Sequence, residues 1–153
     1  MNAPLNATVD FAELSGLEQL KTAFSQKGDF TGIGKTLNFR AVTLEEGFVV
    51  FEGHPDKSVY NPIGTVHGGY AATLLDSAMA CAVHSQLKAG QAYTTLELKV
   101  AYHRAMTEAS GPVRAEGKLI SLGRKAAFAE GRLVDARGKL CATATTTCLV
   151  FSK

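Results

Sequence analysis

Apolar and polar positions along the chain follow three spacings, and each spacing predicts a kind of element. Residues 10–26 carry apolar side chains every three or four positions, which is typical of an amphipathic helix. Residues 68–87 are apolar around most of the helical circumference, which predicts a buried helix. Residues 35–42 and 48–53 alternate as strands do, and a turn between them favours a hairpin. Four later stretches also predict strands: 94–103, 113–121, 126–134 and 140–151.

These elements predict a two-layer fold. The order is a helix, two strands, a long buried helix and four strands, so one apolar helix packs against a sheet in an α+β arrangement. We divide the chain into an N-terminal segment with a flanking helix, residues 1–34, and a single domain, residues 35–153. Gly16 weakens the flanking helix and marks a break or bend. We interpret this helix as the cover of a sheet edge, and a lid near a substrate channel is the alternative.

A single carboxylate, Asp76, lies in the middle of the apolar helix. Because an unpartnered buried charge is costly, Asp76 either faces a solvent groove, pairs with an arginine, or takes part in chemistry. Gly68 and Gly69 stand where the helix begins, and the first backbone N–H groups of a helix have no helical partner. Such N–H groups can polarise a carbonyl or hold an oxyanion. The other interpretation of the two glycines is a tight turn.

The loop and helix carry a pattern that resembles a known family. The pattern consists of Asn61, Gly64, the string His67-Gly68-Gly69, and Asp76 within Leu74-Leu75-Asp76-Ser77-Ala78, followed by Tyr93 to Val100 and Leu122-Gly123-Arg124. It resembles the PaaI-like branch of the hotdog-fold acyl-CoA thioesterases over residues 35–151. The resemblance implies a hotdog fold, in which an antiparallel sheet wraps around the long central helix. It also implies a homodimer with a continuous sheet and a dimer of dimers, a homotetramer.

The resemblance further implies hydrolysis of an aryl- or medium-chain acyl-CoA thioester to the free acid and CoA. Asp76 would be the nucleophile or the general base, and the Gly69 N–H would polarise the thioester carbonyl. Asn61 would orient the water or the carbonyl. His67 would fix the loop or bind near the leaving thiol, and a purely structural cap is the equal alternative. Thr95 matches a position near the catalytic water, where relatives carry a small hydroxyl residue.

The distance between the two main groups favours a site shared by two chains. Gly69 and Asp76 are seven residues apart, which corresponds to about 10 Å along a helix axis. An oxyanion donor must lie about 3 Å from the oxygen that it stabilises. A base or nucleophile must come equally close to the reacting groups. Asp76 of one chain opposite Gly69 of its partner satisfies both requirements.

Coenzyme A carries phosphates, so a cationic rim is expected around the site. Gly68 would let the substrate approach the backbone closely. Arg124 and Lys125 match the stretch that contacts CoA in relatives, and Arg104 is a further candidate. Solvated surface charges are the alternative for all three. No cofactor is expected beyond the CoA of the substrate.

Composition and charge exclude several other classes. The net charge of +2, without a long basic run, gives no reason to expect nucleic acid. No apolar stretch approaches the ~20 residues that span a bilayer, and no secretory signal is recognisable, so a cytoplasmic location is expected. Cys81, Cys141 and Cys148 have no metal-binding spacing and are expected to be small buried side chains. A Cys81–His84 catalytic pair is disfavoured.

Two alternative functions remain open from the sequence. A non-catalytic hotdog module would bind acyl-CoA in the same groove, although Asp76 gives a pure binder little advantage. A hotdog dehydratase or hydratase would use a histidine with an acid, but usually in a loop pattern that His67-Gly68-Gly69 does not match.

Overall fold

A six-stranded antiparallel sheet wraps around one long helix. A computed structural model describes residues 10–25 and 32–153. The helices are α1 (Gly16–Phe24), α2 (Ile33–Thr36) and α3 (Gly68–His84). The strands are β1 (Phe39–Glu45), β2 (Phe48–Gly53), β3 (Gln91–Tyr102), β4 (Val113–Leu122), β5 (Ala126–Val134) and β6 (Leu140–Ser152), in the sheet order β1-β2-β4-β5-β6-β3. This architecture confirms the predicted α+β fold and the hairpin between the first two strands.

The core lies between α3 and the concave face of the sheet. Leu74, Leu75 and Met79 of α3 are fully buried there. The helix backbone comes unusually close to β4 because Gly117 has no side chain: a Cβ at this position would overlap the Ala78 carbonyl group. The alanines of the helix and the glycine of the strand therefore set the separation of the two layers.

The N-terminal segment differs from the single helix predicted over residues 10–26. A short 3₁₀ turn, Phe11–Glu13, precedes α1. Gly16 is the first residue of α1 rather than a bend within a longer helix. Its lack of a side chain serves packing, because a Cβ there would overlap the His84 carbonyl oxygen at the end of α3. Gln26, the predicted end of the helix, lies outside the described residues. Packing of α1 against the edge strand β1 agrees with the predicted cover of a sheet edge.

The first strand begins later than predicted. Lys35 lies in the short helix α2, and β1 starts only at Phe39. Between them Asn38 adopts a positive φ of 53°, a conformation that asparagine tolerates better than most residues. This left-handed residue reverses the chain from the helical turn into the strand. Alternation of apolar residues alone could not distinguish the two conformations.

A bulge in β3 breaks the predicted alternation of its apolar residues. The register with β6 shifts between Thr95 and Glu97, so the intervening Leu96 is left without a paired partner. Leu96 is 60% exposed, whereas Leu98 and Val100 are half-buried. Alternation over residues 94–103 predicts that all three share one face, and this prediction is wrong because the bulge adds a residue to one strand.

From the close contact between α3 and β4 we predict how a substitution at Gly117 changes the free energy of unfolding. Gly117→Ala would place a Cβ against helix backbone, which cannot move without displacing α3, and we expect a loss of about 3 kcal/mol in the free energy of unfolding. Gly131 is the cross-strand partner of Gly117 and provides the control. A Cβ there would lie 3.0 Å from the flexible side chain of Met79. We expect Gly131→Ala to cost about 1 kcal/mol.

Urea unfolding followed by circular dichroism measures both variants. Equal transition midpoints for Gly117→Ala and the wild type would show that the layers are not held at this separation.

Candidate active site

The start of α3 is built by a histidine cap and a tyrosine. The Nδ1 atom of His67 accepts a hydrogen bond from the Gly69 N–H at 2.8 Å and so caps the helix. The Tyr102 hydroxyl donates to the Gly68 carbonyl oxygen at 2.8 Å. A Cβ on Gly68 would lie 3.0 Å from the Tyr102 ring, so this glycine makes room for the aromatic side chain. The Gly69 N–H expected to polarise a carbonyl is therefore engaged by His67 in this structure.

Asn61 holds the loop that leads to the helix. Its amide nitrogen donates to the Thr65 hydroxyl at 3.0 Å, and its side-chain oxygen accepts from the backbone N–H groups of Ile63 and Thr65. These bonds close a turn whose Gly64 has a φ of 87°. The side chain of Asn61 is thus occupied within its own loop and does not line the cavities described below.

Asp76 lies half-buried in the middle of α3 and faces β3. Its Oδ1 atom accepts a hydrogen bond from the Thr95 hydroxyl at 3.1 Å. Within residues 10–25 and 32–153, Asp76 forms no ion pair with an arginine or lysine. Of the readings that the sequence left open, the structure therefore supports a carboxylate that faces open space and is oriented by one hydroxyl. The resemblance places Thr95 near the catalytic water, and the structure brings its hydroxyl to Asp76.

A cavity of about 680 Å³ opens beside Asp76, which is within the usual size range for a small-molecule site. The central helix forms one wall, the start of β3 a second, and α1 with α2 a third. Its lining surface is mostly apolar and includes several polar side chains. Its lining residues include Gln19, Asp76, Ala80, His84, Tyr93 and Thr95.

A second cavity of about 370 Å³ lies at the start of α3. Gly68, Tyr102 and Arg104 line it, and it shares no lining residue with the cavity beside Asp76. Arg104 therefore lies near the helix start. Arg124 and Lys125 are exposed in the turn between β4 and β5 and line neither cavity of this chain.

Burial decides the chemistry of the other titratable groups beside Asp76. Burial, together with the charge of Asp76, raises the pKa of the Cys81 thiol to about 12. Burial and then the charge of Lys153 lower the pKa of His84 below its usual value. His84 interacts with Gln19 instead of Cys81. A neutral imidazole beside an un-ionised thiol is not an activated pair, which agrees with the disfavoured Cys81–His84 reading.

Residues 10–25 and 32–153 contain no cluster of three or more His, Cys, Asp or Glu side chains suited to a metal ion. None of the described helices has the length and apolar character that a membrane crossing requires.

Some residues of these cavities escaped sequence reasoning. Gln19 belongs to α1 and His84 to the end of α3, and only the fold brings them together. Tyr102 lies at the end of the predicted strand 94–103, and its hydroxyl binds the helix start. The spacing of tyrosine in a strand gives no signal for such a contact.

The comparisons with known proteins assign the family. The model of the thioesterase superfamily matches residues 63–142, which include the start of α3, Asp76 and Thr95. The chain belongs to this superfamily and is a thioester hydrolase with the hotdog fold. The resemblance to PaaI-like hotdog thioesterases is thereby confirmed.

Relatives cover most of the chain. The proofreading thioesterase EntH of Klebsiella pneumoniae is 32% identical over 100 residues, which cover 65% of this chain and 72% of that protein. A 1,4-dihydroxy-2-naphthoyl-CoA hydrolase of Listeria monocytogenes is 26% identical over 122 residues, covering 80% and 98% of the two chains. The structure of the E. coli PaaI protein superposes with a TM-score of 0.77 at 20% identity, covering 90% and 94%.

The raised pKa of Cys81 makes a chemical prediction. Because only the thiolate is nucleophilic, a thiol with a pKa of about 12 has roughly one ten-thousandth of its population ionised at pH 8. We expect iodoacetamide to label Cys81 at least about 100-fold more slowly in the native protein than in urea. Peptide mapping by mass spectrometry measures the rate at Cys81 separately from those at Cys141 and Cys148. Equal rates in the native and unfolded protein would mean that Cys81 is an accessible, reactive thiol.

Proposed function

We propose that this protein hydrolyses acyl-CoA thioesters with aryl or medium-chain acyl groups, in sites shared by two protomers. Asp76 of one protomer acts on a thioester whose carbonyl is polarised by the Gly69 N–H of the other. The observation that carries the proposal is the placement of Asp76 and Thr95 at the cavity beside the middle of α3, away from the helix start.

The carboxylate of Asp76 and the start of α3, which would polarise the carbonyl, lie at different cavities of one chain. Asp76 lines the larger cavity, and Gly68 lines the smaller one with Arg104. An axial separation of about 10 Å between Gly69 and Asp76 is too large for one thioester carbonyl to contact both. A two-fold arrangement would place the larger cavity of one protomer against the smaller cavity of the other, so that each site receives one group from each chain.

The free edge of β3 supports this arrangement. In the described chain, the 12 residues of β3 pair only with β6, and β3 ends the sheet. A long unpaired edge exposes backbone N–H and carbonyl groups that another strand can bind. The 60% exposed Leu96 at the bulge adds apolar surface to that edge. Pairing of β3 with its own copy would give a homodimer with a continuous sheet, and a dimer of dimers would follow from a second contact between such pairs.

Asp76 can act in two ways from this position. As a general base it takes a proton from water, the water oxygen attacks the carbonyl carbon, the C–S bond breaks and the CoA thiolate takes up a proton. As a nucleophile its own oxygen attacks, CoA leaves as the thiolate, and water then hydrolyses the resulting anhydride. Thr95 serves either route because its hydroxyl holds one carboxylate oxygen at 3.1 Å and leaves the other to react.

The helix cap must open for the carbonyl to be polarised. The Gly69 N–H donates to His67 Nδ1 at 2.8 Å, so a substrate oxygen replaces the imidazole as acceptor. His67 is exposed, and its side chain can rotate into solvent without disturbing the core. The released imidazole then lies beside the substrate, where it can hydrogen-bond near the leaving thiol. Arg104 lines the same cavity and is the candidate cation of this chain for CoA phosphate.

The cavity beside Asp76 is large enough for an acyl group that contains a ring or a chain of medium length. Its volume of about 680 Å³ exceeds that of a short acyl group, and its lining is largely apolar. The name of one relative, a 1,4-dihydroxy-2-naphthoyl-CoA hydrolase, agrees with aryl thioesters as one substrate class.

Removal of the carboxylate tests the chemistry. Asp76→Asn keeps the size of the side chain but removes the base, and we expect kcat to fall at least about 100-fold with little change in CoA binding. Free-thiol release is measured with phenylacetyl-, benzoyl-, hydroxybenzoyl-, hexanoyl- and palmitoyl-CoA. Glu130→Gln is the control, because Glu130 is an exposed carboxylate on the convex face of β5. We expect it to retain wild-type rates.

Two results would contradict the proposal. Unchanged turnover in Asp76→Asn would exclude Asp76 from the reaction. Tight binding of CoA with no thiol release from any of these substrates would favour a binding module.

A further inference from the structure

A buried pair of polar side chains closes the far end of the cavity beside Asp76. Gln19 of α1 is only 4% exposed, and its amide nitrogen donates to the Leu14 carbonyl oxygen at 2.9 Å. Its amide oxygen lies 3.0 Å from Nε2 of His84 at the end of α3. Both side chains line the cavity. The mechanism proposed above uses neither of them.

The contacts of Gln19 determine which nitrogen of His84 carries the proton. Because the amide nitrogen donates to Leu14, the oxygen is the atom that faces His84, and an amide oxygen can only accept. Nε2 of His84 is therefore protonated, and Nδ1 carries a lone pair. Burial and the charge of Lys153 lower the pKa of His84, which keeps the ring neutral at pH 7. Among the described residues, no donor binds Nδ1.

The free nitrogen lies on the side of the ring away from α1. The Cδ2 atom faces Gly16, where a Cβ would lie 3.0 Å from it, and the adjacent Nε2 faces Gln19. Nδ1 is on the opposite edge. Tyr93 packs edge-on against the same ring at a centroid distance of 5.4 Å and limits its rotation. His84 lines the cavity, and its ring keeps one acceptor that no described residue uses.

The pair is not needed to attach α1 to α3. The Gly16 N–H donates to the Leu87 carbonyl oxygen at 2.9 Å, and the Gly16 backbone packs directly on the end of α3. Apolar side chains at positions 19 and 84 would complete the same contact without the cost of burying two polar groups. A ligand group that donates a hydrogen bond to Nδ1 would explain why two polar side chains are buried here.

The position of the pair relative to Asp76 gives the dimension of the ligand. Asp76 and His84 are eight residues apart on α3, about 12 Å along the axis. Ala80 and Tyr93 line the cavity between them. An acyl group whose carbonyl reacts at Asp76 passes this apolar section and ends at His84. After allowance for the two side chains, the group that reaches Nδ1 lies roughly 8 Å from the carbonyl carbon.

We propose that His84, oriented by Gln19, determines specificity by accepting a hydrogen bond from a hydroxyl group at the far end of the acyl chain. The preferred substrates are then thioesters of acyl groups that are apolar near the carbonyl and carry a hydroxyl roughly 8 Å beyond it. A para-hydroxyphenylpropanoyl group has these dimensions. This inference rests on the proposed function, because it places the reacting carbonyl at Asp76.

The test compares one pair of substrates that differ by a single hydroxyl, para-hydroxyphenylpropanoyl-CoA and phenylpropanoyl-CoA. We expect wild-type kcat/KM to favour the hydroxylated substrate by about 10-fold or more, since the unhydroxylated one leaves Nδ1 unpaired. In His84→Phe, which keeps a ring but has no acceptor, the ratio should fall to about 1. In His84→Asn, whose amide oxygen can occupy a position near that of Nδ1, part of the preference should return.

The variants also separate specificity from folding. Gln19→Leu removes the group that fixes the tautomer, so we expect the ratio of the two kcat/KM values to fall severalfold. If the pair served only the fold, kcat/KM would fall by the same factor for both substrates. Equal wild-type rates for the two substrates, or an unchanged ratio in His84→Phe, would overturn the inference.

Binding distinguishes a failure of this inference from a failure of the proposed function. Calorimetric titration of Asp76→Asn and of Asp76→Asn/His84→Phe with both substrates reports selectivity without turnover. A hydroxyl preference in the first protein that is lost in the second supports the inference even if wild type releases no thiol. Equal affinities in the first protein overturn it even if wild type hydrolyses both substrates.

Discussion

The separation between α3 and the sheet is the constraint on which the rest of the structure depends. The backbone of the helix lies against β4 because position 117 is a glycine, and alanines on the helix add little bulk. This contact fixes the height and rotation of α3 above the sheet. Asp76 then faces the open side between β3 and the flanking helices instead of the apolar layer. Asp76 is tolerated in an otherwise apolar helix because the opposite face of α3 packs on the sheet. This packing directs the carboxylate toward the open side.

One rigid helix therefore carries three groups at fixed separations. Its first turn holds the N–H groups and the His67 cap, its middle holds Asp76, and its end holds His84. The distances between them follow from helical rise and do not adjust to a ligand. In the proposed mechanism, a thioester that reacts at Asp76 extends its acyl group along the helix toward His84. The N–H that polarises its carbonyl then belongs to the helix of a partner chain, which the exposed edge of β3 would bring into place.

The architecture was predictable wherever the local hydrophobic pattern is compatible with only one type of secondary structure. The apolar circumference of residues 68–87 predicted the central helix, which ends at His84, and the alternation in the later strands predicted the sheet. The glycines before the helix and the acid within it predicted the candidate site. The resemblance to a family singled out Thr95, but its contact with Asp76 was not predicted, because two residues 19 positions apart give no signal of contact by themselves.

The remaining features depend on contacts that the local pattern does not contain. Leu96 alternates correctly, but a bulge in its pairing with β6 exposes it. Lys35 fits a strand, but Asn38 at positive φ allows a helical turn before it. Gln19 and His84 meet only because Gly16 permits α1 to lie on the end of α3. Arg124 and Lys125 face solvent on a single chain, so their proposed role in CoA binding depends on how chains assemble.

The activity of mixed dimers tests the shared site most directly. Asp76→Asn lacks the acid, and Gly68→Val blocks the helix start because its side chain would meet the Tyr102 ring. Each variant alone should be inactive, whereas their co-expression should restore about a quarter of the wild-type thiol release, since half of the dimers are mixed and one of their two sites is intact. Restoration of that size would establish that Asp76 and the helix start come from different protomers. Activity that stays at the level of the separate variants, in dimers shown to be mixed, would contradict a shared site.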